Sequence, residues 1–168
     1  IKHPVVFHTH PVYLNTILCS KNSRSTISAI LEDYDYDYIP YETPGEDLKN
    51  AIQNSTNNKI ILLENHGLIC GSTSFREVFD LSIRINQLCK EWLIKNSKTF
   101  KNFNNESGYS EEGFLFPDAV VLREKMKFIN QYMLYIQRDI GLSPRFLSEQ
   151  EINKLTNMEE EKYRRAIK

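Results

Sequence analysis

Two short turns carry three of the four histidines of this 168-residue chain. Val6-Phe7-His8-Thr9-His10-Pro11 lies near the start, and Leu63-Glu64-Asn65-His66-Gly67-Leu68 lies in the middle. Each follows a short apolar run of strand-like composition. In a strand, residues two apart share a face, so His8 and His10 can aim both rings at one point. Pro11 ends strand pairing because it has no N–H to donate. The pair therefore sits where a strand stops and a helix can begin. His66 follows His10 by 56 residues, room for a crossover and another strand. Asn65 and Gly67 flank it with turn chemistry, and Gly67 permits either a positive φ or a close backbone approach. A fold that brings the two turns together sets two strand ends side by side and gathers three imidazoles, the beginning of a transition-metal site. The residues alone leave a second reading open, in which the histidines only satisfy hydrogen bonds at a half-buried surface.

Length suits one hydrophobic core. Hydrophobic residues make up 40% of the chain and charged residues 26%, which leaves enough apolar surface for a packed globular domain. The net charge of −1 gives no electrostatic argument for nucleic acid or an anionic membrane. No apolar run approaches the ~20 residues of a membrane span. The start does not read as a signal peptide. Cys19, Cys70 and Cys89 are odd in number and widely spaced. They argue against a disulfide framework and for a reducing, cytoplasmic compartment. Cys70 reads as a small buried hydrophobe.

Along the chain, strands and helices alternate. Residues 5–8 read as a strand and 12–19 as a helix with Pro11 at its first turn. The stretch 25–31 is apolar and ambiguous. Asp33-Tyr34-Asp35-Tyr36-Asp37-Tyr38 alternates strictly, as a strand with one packed face does. A short helix is expected over 46–54, then strands over 59–63 and 68–70. The clearest helix is 74–95. Ser74 followed by Glu77 is a capping signature, and Val78, Leu81, Ile85, Leu88 and Trp92 form a core-facing stripe. The polar stretch 96–113 reads as a loop or insertion. Residues 115–121 suggest a strand with Pro117 at an edge, and 123–139 a helix closed by Gly141. Ser148 and Glu151 open a C-terminal helix within 148–168, acidic at its start and basic at its end (Lys162, Arg164, Arg165, Lys168).

His8-Thr9-His10-Pro11-Val12-Tyr13 resembles the H-T-H-P-x-Y turn of the class II aldolase/adducin family. Two more segments match in the family's order: Pro40-Tyr41-Glu42-Thr43-Pro44-Gly45 with Leu48, and Leu62-Leu63-Glu64-Asn65-His66-Gly67-Leu68. The motifs span about residues 4 to 72, the helix at 75–95 continues the pattern, and beyond about residue 97 the likeness is loose. The resemblance implies an α/β fold: a single domain over 1–168, with a central, mainly antiparallel sheet flanked by helices. It also implies a divalent ion, Zn2+ or another transition metal, held by His8, His10 and His66. The ion would act as a Lewis acid on a small ketose phosphate and stabilise an enediolate as a carbon–carbon bond breaks. The expected assembly is a homotetramer, with no nucleic-acid or membrane partner.

The family's catalytic Glu and phosphate-holding loops normally precede the paired histidines by some twenty residues or more. Only seven residues stand before His8 here, and the chain opens on Ile1, so it is expected to lack the N-terminal part of the domain. The catalytic acid/base is therefore unknown within the chain, and a Glu upstream of Ile1 is expected to move the proton. Glu64 adjoins His66 but should face away from it, because neighbouring strand residues point to opposite sides. Asn65 is expected to orient a ring or the turn. The reading is an aldolase-type lyase of carbohydrate metabolism. The alternatives are an epimerase or dehydratase of the same family, or a non-catalytic, adducin-like assembly module. A zinc hydrolase of the amidohydrolase type also begins with H-x-H, but it needs a barrel of ~250 residues and more histidines than His3 can supply.

Overall fold

The structure is a computed structural model that describes residues 2–55, 59–98 and 113–159. Its centre is a four-stranded sheet in the order β1-β4-β3-β2. The strands are β1 (Val5–Thr9), β2 (Asp37–Ile39), β3 (Ile60–Leu63) and β4 (Gly67–Ser72). β4 pairs antiparallel with both β1 and β3, and β2 joins β3 in parallel, so the sheet is mainly antiparallel as expected.

Every residue of β3 and β4 is buried, because both faces of the sheet are covered. That explains the unbroken apolar runs, where a half-exposed strand would alternate. Ile60, Leu62, Leu68 and Cys70 face one core with Leu14, Ile17 and Leu18 of α1 (Val12–Leu18). Val78, Ile85, Cys89 and Leu93 of α4 (Phe75–Asn96) fill the same core. Ile27 of α2 (Ser23–Ile30) closes its edge, which settles the ambiguous 25–31 stretch as helix. On the opposite face Ile39, Ile61, Leu63 and Ile69 meet Leu48, Ala51 and Ile52 of α3 (Glu46–Gln53). β1 is an edge strand and does alternate: Val5, Phe7 and Thr9 are half-buried, while Val6 and His8 are exposed.

Helices α5 (Pro117–Val121), α6 (Arg123–Asp139) and α7 (Glu149–Asn157) form a further layer. α6 packs on α1, and α5 packs on α6 and α7. Leu115, Phe116, Ala119, Met133 and Leu134 are its core, joined by Cys19. Here the structure corrects the strand expected over 115–121. Pro117 opens a helical turn, where its missing N–H is no loss and its fixed φ suits the helix. The tyrosine-aspartate stretch is corrected as well, since only Asp37–Ile39 pair as strand. Tyr34 and Tyr36 still pack on the core while Asp33 and Asp35 face solvent. A turn bond from the Tyr34 N–H to the Leu31 carbonyl holds that stretch instead of a ladder.

Both expected serine caps form, one of them without the full box its sequence suggests. Ser74 caps α4 by accepting the Glu77 N–H at 3.2 Å. The Glu77 carboxylate does not complete a box; it accepts from the Ser72 hydroxyl at the end of β4. Ser148 and Glu151 form a full capping box on α7. The loop expected over 96–113 falls mostly outside the described residues, as does the C-terminal helix beyond Glu159. Among the described residues no helix is long and apolar enough to cross a membrane.

Candidate metal centre

The β1–β4 ladder sets the end of β1 beside the start of β4, with Thr9 opposite Leu68. The two histidine turns therefore meet. His8 is the penultimate residue of β1, and His10 lies one residue beyond the strand. Pro11 is the N-cap of α1, extended at ψ 124°, and its carbonyl starts the helix by accepting the Asn15 N–H. His66 closes the turn from β3 to β4. The three ring centroids lie 4.8, 5.0 and 5.2 Å apart. One nitrogen from each ring falls in a group whose members all lie within 4.8 Å of one another.

The second nitrogens orient the rings. The Leu68 carbonyl can only accept, so His8 donates Nδ1–H to it, at 3.0 Å. That leaves His8 Nε2 with a bare lone pair in the neutral ring. The His8 residue is exposed at its outer edge, but loss of water around its covered ring nitrogens, with the neighbouring His10, holds it below the usual histidine value, which favours that neutral form. His10 directs its own Nε2 to within 3.0 Å of His8 Nε2, while its Nδ1 meets Asp118 Oδ2 at 3.0 Å. Two bare ring nitrogens at that separation would repel. The arrangement needs a proton or a cation between them, and three imidazoles are a fitting donor set for a transition ion.

Gly67 is the space that lets this happen. A Cβ there would sit 2.4 Å from the Thr9 carbonyl oxygen, 2.8 Å from the His10 ring and 3.4 Å from the His8 ring. The close approach, and not a left-handed backbone, is what glycine supplies at this position. The left-handed residue is its neighbour Asn65, at φ 52°. Asn65 is fully buried, and its amide donates to the carbonyls of Leu115 at 2.6 Å and Arg145 at 2.7 Å. Asn15, buried in α1, donates to the His66 carbonyl at 2.9 Å. Glu64 points away from the three rings. It accepts from Tyr38 Oη at 3.0 Å and from the Tyr41 N–H at 3.1 Å, and lies 3.6 Å from the Arg145 guanidinium. Cys70 is buried in the sheet core, and burial pushes its thiol up to about 12, so it packs as a hydrophobe.

A model of the class II aldolase and adducin N-terminal domain matches residues 2–93. The chain belongs to the class II aldolase/adducin family. The match runs from the start of β1 into α4 and so contains all three clustered histidines. A solved structure of similar shape is the N-terminal class II aldolase domain of a conserved protein from Thermoplasma acidophilum. It is 23% identical, with a TM-score of 0.45 over 52% of this chain and 41% of that one. No curated protein matches the chain significantly.

For a member of this family, the informative additions lie outside the matched stretch. Asp118, Leu115 and Arg145 all follow residue 93, yet they hold His10 and the His66 turn. Nothing local marks Asp118 in the sequence: its partner is 108 residues away. Asn15 is equally hidden, because it lies two residues past the histidine motif and its partner, the His66 carbonyl, is 51 residues away. A cavity of about 140 Å³ opens beside His10, with Asn15 and Asp118 on its polar side and Phe116, Ile129 and Met133 on its apolar side. It has room for a small organic group next to the His10 imidazole.

Proposed function

We propose that the chain is a metal-dependent aldolase-type lyase acting on a small ketose phosphate, with His8, His10 and His66 as ligands to Zn2+ or another divalent transition ion. One observation carries the reading. Two turns separated by more than fifty residues place three imidazole nitrogens within 4.8 Å of each other. Membership of the class II aldolase/adducin family supports the chemistry. When bound, the ion supplies Lewis-acid stabilisation of negative charge developing on a carbonyl oxygen as a carbon–carbon bond breaks.

The chain's own residues prepare that site. Leu68 and Asp118 turn the His8 and His10 rings so that both present Nε2. Asn15 and Asn65 fix the backbone that carries His66. Glu64 is committed to Tyr38, Tyr41 and Arg145, so it is assigned no proton transfer, and no other residue of the chain is assigned that role. Three free, buried cysteines support a reducing, cytoplasmic setting. For the expected homotetramer, the support is an exposed apolar stripe of Phe75, Phe79 and Ile83 on α4, with Phe7 of β1 packed against its two phenylalanines.

The test is direct. The zinc-loaded chain is incubated with a panel of ketose phosphates, and products are resolved by mass spectrometry. Cleavage into a triose phosphate and an aldehyde supports the lyase. Conversion at constant mass points to the epimerase, and loss of water to the dehydratase.

A further inference from the structure

We infer that Asp118 is a positioning residue of the metal centre, acting from α5 to hold His10 as the tautomer that offers Nε2 to the ion. The inference rests on the metal-site reading above and deepens it.

The geometry comes first. Asp118 Oδ2 lies 3.0 Å from His10 Nδ1, and the Asp118 side chain is largely covered, at 13% exposed. Nδ1 and Nε2 stand on different edges of the ring. A carboxylate at the Nδ1 edge cannot also reach an ion at Nε2, and Asp118 is no member of the three-histidine group. Its action on the centre must pass through His10. A carboxylate accepts and does not donate, so a neutral His10 facing it carries its hydrogen on Nδ1 and leaves Nε2 bare. The negative charge also raises the basicity of the ring toward a metal.

His8 is held differently. The Leu68 carbonyl fixes its ring through the main chain, and no side-chain substitution removes that bond. The two histidines of one turn are thus oriented by two different devices, one in the backbone and one in a side chain. Only the second can be deleted by mutation.

Asp118 is itself well supported. Pro117 starts α5, Phe116 and Ala119 are buried on either side, and Asp118 occupies the first helical turn. The same layer holds the other half of the centre, because Asn65 hangs the His66 turn on Leu115 and Arg145. The helices beyond the family match therefore set the geometry of histidines within it.

The experiment compares zinc affinity by competition with a chromophoric chelator in the wild-type chain, Asp118→Ala, Asp118→Asn and His10→Ala. Removing a carboxylate of this kind typically weakens metal binding ~10–100-fold, and that is the loss expected for Asp118→Ala. Asp118→Asn keeps an acceptor without the charge and should fall between wild type and Ala. Long-range 1H–15N spectra of the metal-free proteins, at about pH 9 where imidazoles are neutral, supply a readout that mere destabilisation would not move. Wild type should show His10 protonated at Nδ1, and Asp118→Ala should show His10 as a mixture of both tautomers while the His8 signals persist. Should the Ala variant fail to fold, the Asn variant decides by the same two measurements. Affinity within twofold of wild type, with unchanged imidazole signals, overturns the role of Asp118 and leaves the metal site standing. A wild-type chain that binds no zinc overturns both.

Discussion

His66 is the proposed ligand whose removal tests the centre most cleanly. It comes from its own turn, and it is buried where His8 and His10 are exposed. His66→Ala should sharply lower the zinc bound per chain, measured by elemental analysis after desalting; unchanged zinc would refute the assignment. Gly67→Ala is the complementary probe, because it keeps all three histidines and changes only how closely their turns approach. Its Cβ would stand 2.4 Å from the Thr9 carbonyl oxygen, a backbone atom that cannot swing aside. The start of β4 must then move away from the end of β1. Overpacking of this kind costs about 1–3 kcal/mol, read by urea unfolding, and zinc affinity should fall with it. A Gly67→Ala chain as stable as wild type would show that the close approach is not required. At this scale the sequence was partly readable. The three histidines announce themselves because strand period and turn chemistry are local properties. Asp118 and Asn15 do not, because their roles exist only once distant segments touch.

Single elements were legible wherever one local force dominated. α4 has a capping serine and a core stripe, and it forms within one residue of the expected bounds. Residues 115–121 misled because a short apolar run with a proline fits an edge strand and a helix start equally well. What decides it is tertiary: Phe116 and Ala119 fill a core with Met133 and Leu134 of α6. α7 offers an element-scale prediction. Burial alone would raise the Glu151 carboxyl, but the Ser148 N–H and hydroxyl and the Arg145 guanidinium together hold it below its ordinary 4.5. As pH falls, the unfolded chain takes that proton first, so acid favours unfolding. The stabilisation is complete above about pH 4.5 and disappears as pH drops below it. Glu151→Gln keeps a side chain that can close the capping box and loses only the charge, so it should cost about 0.3–1 kcal/mol at pH 7 and little at pH 3. Urea unfolding of both proteins at the two pH values checks this. Stability differences that stay equal at pH 7 and pH 3 would exclude a role for the charge.

At the scale of the whole molecule, the centre joins parts of the chain that fold from separate stretches. His8 and His10 belong to the β1–α1 junction, and His66 to the β3–β4 turn. The layer of α5, α6 and α7 braces both, through Asp118 on one side and the carbonyls of Leu115 and Arg145 on the other. The general architecture was readable, because β3 and β4 are too apolar to be anything but doubly covered strands. How the C-terminal layer docks was not, since its contacts to the centre span 50 to 108 residues and leave no periodic trace. An ion shared by the two turns is a cross-link present only in the folded state, so it must stabilise the fold by mass action. Zinc at 100 times its dissociation constant contributes about 2.7 kcal/mol. For a domain of this size each kcal/mol moves the unfolding midpoint by about 2–4 °C. The midpoint should therefore rise by roughly 5–10 °C, and a chelator should reverse the rise. His66→Ala should erase most of it, since two imidazoles on one turn cannot bridge to the other. Differential scanning calorimetry with and without zinc makes the measurement, and a midpoint that ignores the metal would mean the two turns share no ion.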